Sequence, residues 1–151
     1  MISLIDINKS VNEKIKGSLA GTNFSSVPII AEDVTEPIVR PSIKVEFEKT
    51  TNGKFNSSCR EKTLTIRVYF FAKDRVKYKL DNIEMQDILE TAFLDGVTVR
   101  EGFYIPVENV ESEVTDSVLI CSFDLYTLEL LPYNETSETM EILDMNIGKG
   151  D

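Results

Sequence analysis

The side chains best suited to chemistry in this chain are a group of acids and two thiols. Glu108, Glu111, Glu113 and Asp116 crowd into one short stretch, and alternate spacing sets Glu111 and Glu113 on one face of an extended segment. Such a pair can hold a divalent cation or divide acid and base roles across a glycosidic bond. On a chain of net charge −10, however, an acidic strand face also arises without any ligand. The sequence has no histidine, which removes the commonest general base and the commonest metal ligand at neutral pH. Cys59 and Cys121 cannot build an ordinary structural zinc site without it. Arg60 beside Cys59 would favour a thiolate, but no base stands near it or near Ser57 and Ser58. Gly53, Gly96 and Gly102 are isolated and read as turns or caps, not as a phosphate-cradling loop. The residue types therefore point to no catalytic site, no metal and no cofactor.

The elements that carry these residues are legible from periodicity. Residues 3–19 predict a helix, with Leu4, Ile7, Val11, Ile15 and Leu19 as one apolar stripe, Ser3 as cap and Gly21 as terminator. That stripe covers half the helix surface at most, so the helix should lie on a sheet. Val27–Ala31 is a short strand candidate, with Pro28 suited to an edge or a strand start. Glu36-Pro37 and Arg40-Pro41 mark a turn-rich connection. Residues 42–48 and 62–71 alternate as strands, each with one apolar face: Ile43, Val45 and Phe47 in the first, and Leu64, Ile66, Val68 and Phe70 in the second. Between them, residues 50–58 read as a polar arm with one large apolar side chain, Phe55. Residues 82–94 predict a second helix, capped by Asp81 or Asn82, ended by Gly96, with Met85, Ile88, Leu89, Ala92 and Phe93 as its buried face. Val97–Arg100 and Phe103–Ile105 form two short strands through Gly102. Residues 107–116 read as an acidic strand or extended segment ending in a turn at Thr115-Asp116-Ser117. Val118–Leu130 is the last and longest strand, with Leu119, Cys121, Phe123 and Leu125 on its apolar face.

Charge is unevenly placed. Residues 40–79 hold eleven Lys and Arg against four Asp and Glu, net +7, while the remainder holds five against twenty-two, net −17. Two copies could steer the positive hairpin of one onto the negative surface of the next; a solvated strand face with incidental charge is the plainer reading. Lys44, Lys49, Lys54, Arg60, Lys62 and Arg67 near Phe55, Tyr69 and Phe71 also suggest a single-strand nucleic-acid platform. A sequence pI near 4.5 opposes it, since counterion release favours a net basic footprint. No apolar run approaches a membrane span, and the first residues lack the pattern of a secretory signal. With only two cysteines, a reducing cytosolic setting fits best. Residues 1–131 are expected to form one domain, and 132–151 an acidic tail. In that tail Met140-Glu141-Ile142-Leu143-Asp144-Met145 either docks on a neighbouring subunit or remains free.

The order helix, short strand, Arg40-Pro41-Ser42 strand, polar arm, Arg60-Glu61-Lys62-Thr63 strand, helix, acidic strand Asn109-Val110-Glu111-Ser112-Glu113, and closing strand Leu119–Leu125 resembles a family. It is similar, over about residues 1–131, to the tail terminator proteins of long-tailed phages and of phage-derived contractile bacteriocin particles. The resemblance implies an α+β fold, with two helices packed on one side of a mixed or antiparallel sheet and a long β-hairpin arm. It implies a homohexameric ring that sits on the end of the tail tube, stops polymerisation and meets a neck or head connector, with the sheath as a further partner in a contractile particle. DNA would be passing cargo only, no membrane would be involved, and assembly would take place in the bacterial cytoplasm before incorporation into the particle. No catalytic residues carry over. The residues expected at the partner interface are Lys49, Lys54, Phe55, Arg60 and Lys62 on the hairpin and Glu108, Glu111 and Glu113 on the acidic strand. Another connector or tube-completion protein is the nearest alternative, and a nucleic-acid-binding module the one from a different class.

Overall fold

The computed structural model describes residues 2–30 and 38–132. The turn expected at Glu36-Pro37 and the tail segment Met140–Met145 lie outside the described residues. Helix α1 spans Leu4–Leu19 and opens with a capping box: Ser3 Oγ accepts from the Asp6 N–H, and the Asp6 carboxylate accepts from the Ser3 N–H. Its buried stripe is Ile7, Val11, Ile15 and Leu19. Leu4 does not belong to it and is exposed; Ile2, just before the helix, is buried instead. Gly21 takes a positive φ of 80° just past the helix end, where the chain reverses.

Strand β1 (Ile29–Ile30) pairs parallel with β2 (Ser42–Lys54), which pairs antiparallel with β3 (Cys59–Phe71). Helix α2 (Lys79–Ala92) and a single 3₁₀ turn (Phe93–Asp95) precede the short hairpin of β4 (Val97–Arg100) and β5 (Phe103–Ile105). Strand β6 (Val107–Thr115) turns through Asp116 and Ser117, both at positive φ, into β7 (Val118–Leu130). The main sheet has the order β1-β2-β3-β7-β6, mixed only through β1. The fold is α+β, with the helices on one face.

That inner face is the core. Leu64, Ile66, Val68 and Phe70 of β3 and Leu119, Cys121, Phe123 and Leu125 of β7 meet Ile7, Val11 and Ile15 of α1 and Met85 and Leu89 of α2 in one cluster. Phe93 stacks on Phe123 at 4.3 Å, and Phe24 meets Phe70 edge-on at 5.6 Å. The outer face carries Lys44, Glu46, Arg67, Thr65, Glu111, Glu113 and Asp124 in cross-strand rows, as suits an antiparallel sheet with one wet side. Helix α2 starts earlier than its composition suggests. Tyr78 is its N-cap with no side-chain hydrogen bond, while Asn82 lies buried inside the helix and its Nδ2 donates to the Ser117 carbonyl at 3.3 Å.

Residues 50–54 are strand, not arm. β2 runs through Lys54 in register with β3, from Thr50 opposite Leu64 to Lys54 opposite Arg60, and only residues 55–58 turn. An irregularity between Phe47 and Lys49 shifts the register there and keeps the pairing going. At the tip Asn56 Oδ1 accepts from the Ser58 and Cys59 N–H groups, both at 2.8 Å.

Candidate assembly surface

β7 runs beside the distal half of the β2–β3 hairpin to Leu130, opposite Cys59. Its inner face there is polar. Arg60 donates to Glu129 Oε1 at 3.0 Å, and Glu129 Oε2 accepts from the Ile2 N–H at 2.9 Å. The two side chains are only 17% and 7% exposed. Burial pushes the Glu129 carboxyl pKa up; the Ile2 amide and the Arg60 guanidinium outweigh burial and hold it below the usual carboxylate value. Lys62, 9% exposed, faces the same side. Burial lowers its pKa, Arg60 adds to that, and Glu129 opposes both. Arg60 and Lys62 are thus bound into the fold around Glu129.

The remaining expected interface residues point outward. Lys49 and Lys54 are exposed on β2, Phe55 is 56% exposed at the turn, and Glu108, Glu111 and Glu113 are exposed on β6. Among the described residues none of these five charged side chains has an ion-pair partner; the three pairs present join Lys44 to Glu46, Arg60 to Glu129 and Arg67 to Glu48. Glu111 lies opposite Ser122 and Glu113 opposite Ile120, so both share the outer face. The lysines and the acids therefore occupy opposite borders of one sheet and do not meet within a subunit.

A second feature of the surface was hidden in the sequence. Tyr126, Leu128 and Leu130 continue β7 on its outer face, at 40%, 48% and 74% exposure. With Phe55 they form an apolar rim at the hairpin end. The signal was present: after Leu125 the apolar residues of β7 change parity, which means a second face. A shallow hollow between β5 and β7, lined by Phe103, Tyr104, Tyr126 and Leu128 among others, borders this rim.

No metal-binding group of His, Cys, Asp and Glu forms among the described residues. Cys121 is buried, and burial pushes its thiol up to about 11, against a lesser downward pull from Ser112. No helix among the described residues is long and apolar enough to cross a membrane. A family model described as "Phage tail terminator protein" matches residues 6–138. No curated protein matches the chain.

Proposed function

The chain belongs to the phage tail terminator family, and on that premise we propose that it caps the end of a tail tube as a ring and joins the tube to the structure above it. The family assignment makes it a structural component of a phage tail; its match across most of the chain is the observation that carries the reading. The ring is a homohexamer, and its partners are the tube protein and a neck or head connector, with the sheath added if the particle contracts. Copies assemble in the bacterial cytoplasm before entering the particle.

Two surface features support this reading. The borders of the sheet carry opposite charge, which suits a heterologous contact between copies, where one patch meets a different patch on the next. The apolar rim of Phe55, Leu128 and Leu130 is exposed at the hairpin end and suits contact with another tail component. The nucleic-acid alternative is left with a smaller footprint: Lys49 and Lys54 stay exposed, while Arg60, Arg67 and Lys44 are paired with acids and Lys62 is buried. The decisive experiment assembles tails without this chain and measures tube length by electron microscopy. Tubes of uncontrolled length are expected, and uniform tubes of normal length would overturn the reading. Replacing Phe55, Leu128 and Leu130 together with Ser should give the same overlong tubes from a subunit that still folds.

A further inference from the structure

The two borders of the main sheet carry more than opposite charge: their open hydrogen-bonding positions fit one another. In an antiparallel ladder both backbone groups of a residue point to the same neighbour, and the next residue's point the other way. The Phe55 N–H donates to the Cys59 carbonyl at 2.9 Å, so Phe55, Gly53, Thr51 and Lys49 turn their backbone toward β3. Thr50, Asn52 and Lys54 turn theirs outward, along a stretch where no described strand lies beside β2. The Leu131 N–H donates to the Ser58 carbonyl at 2.7 Å, which fixes the same alternation along β7. Ser122, Ile120 and Val118 then bond Glu111, Glu113 and Thr115, leaving Val110, Ser112 and Val114 with backbone groups aimed away from the sheet.

We propose that β6 of one copy pairs antiparallel with the distal half of β2 of the next, so that the sheet runs on from subunit to subunit. The inference rests on the ring reading above in requiring several copies. Strand direction permits it. β2, β3, β7 and β6 alternate in direction, so β2 and β6 run oppositely, and a neighbour that continues the sheet brings them together antiparallel. The faces agree as well. Lys49, opposite Thr65, lies on the outer face, as do Glu111 and Glu113. Pairing Thr50 with Ser112 and Asn52 with Val110 sets Lys49 opposite Glu113 and Thr51 opposite Glu111, and carries Lys54 level with Glu108 at the irregularity in β6. Moving the register by two residues either way puts Lys49 opposite Thr115 or takes Lys54 past the start of β6. Edge lysines often guard a strand against unwanted pairing. Here they would repel another lysine edge while attracting the acidic one, so the same charges choose the partner.

The test is a cross-link. Thr51 and Glu111 form a pair without mutual hydrogen bonds, the kind whose Cβ atoms approach closely enough for a disulfide. In a Cys59→Ser background, the double variant Thr51→Cys with Glu111→Cys should give reducible oligomers on oxidation, and each single variant should give none. Lys49→Glu or Glu113→Lys alone should weaken association about tenfold in sedimentation, and the two together should restore it. Rings that form normally but never cross-link at this pair would overturn the edge pairing and leave the terminator reading intact. Normal-length tubes assembled without the chain would overturn the terminator reading and leave the cross-link standing.

Discussion

Glu129 is the residue on which the order of the hairpin end depends, and Glu129→Ala tests that. The substitution removes two charge-assisted hydrogen bonds, from Ile2 at 2.9 Å and Arg60 at 3.0 Å. The Ile2 N–H is left in a residue that is 2% exposed, at a cost of about 1–3 kcal/mol for an orphaned buried donor. Breaking a fully buried ion pair costs about 3–5 kcal/mol, but Arg60 keeps 17% exposure and water recovers much of its share. The total is about 3 kcal/mol. With a urea slope of about 2 kcal/mol/M the midpoint should fall by roughly 1.5 M, measured at one dilute protein concentration. Glu129→Gln, which keeps an acceptor for Ile2, should lose about half as much. The pH dependence supplies a sharper mark. Because the folded carboxyl pKa lies below that of an unfolded glutamate, about 4.3, its contribution is complete above that value and disappears as pH falls through the folded pKa. The gap between wild type and Glu129→Gln should therefore be widest near neutrality and close in acid. Equal midpoints at pH 7, or a gap that persists unchanged at low pH, would refute the account of the network.

Two further substitutions probe the body of the domain. Gly96→Ala should destabilise by more than about 2 kcal/mol in the same denaturation assay, because φ is +80° and an added Cβ would lie 2.5 Å from the Ile105 carbonyl oxygen. Under native conditions at pH 8 an alkylating reagent should label Cys59 but not Cys121, whose thiol at about 11 is ionised to roughly one part in a thousand and is shielded by the core; mass spectrometry showing two labels per folded chain would contradict the packing around β7.

Where apolar residues met a core, the sequence was readable. The α1 stripe from Ile7 to Leu19, the inner faces of β3 and β7, and the turn at Asp116 and Ser117 follow from period and turn chemistry alone. Thr50–Lys54 was not readable as strand because it is exposed throughout, with nothing apolar to bury on either face. What makes it a strand is its ladder to β3, and a ladder leaves no mark in composition. Arg60 looked like a free cation for the same reason. Its partner Glu129 is 69 residues away in sequence, brought alongside only by the register of β3 on β7. The start of α2 at Lys79 was obscured by Asp81 and Asn82, good caps by type, of which Asn82 instead serves a buried hydrogen bond.

That an expected arm is a strand changes how recognition at this surface must work. A nine-residue flexible arm would have to be ordered at each encounter, at about 1–2 kcal/mol of backbone entropy per residue. In Thr50–Lys54 that cost is met once, within the subunit, by pairing with β3. A partner then meets backbone groups and side chains at fixed spacing, so selectivity comes from register as well as from sign of charge. Arg60, Glu129 and Ile2 hold the ladder and offer nothing outward, whereas Lys49, Lys54 and Phe55 offer side chains outward and hold little. The two sets should separate cleanly in experiment. Changes in the first lower the melting temperature and weaken assembly only as a consequence. Changes in the second weaken assembly while the folded subunit melts where it did before, and an outward substitution that lowered both would break the division.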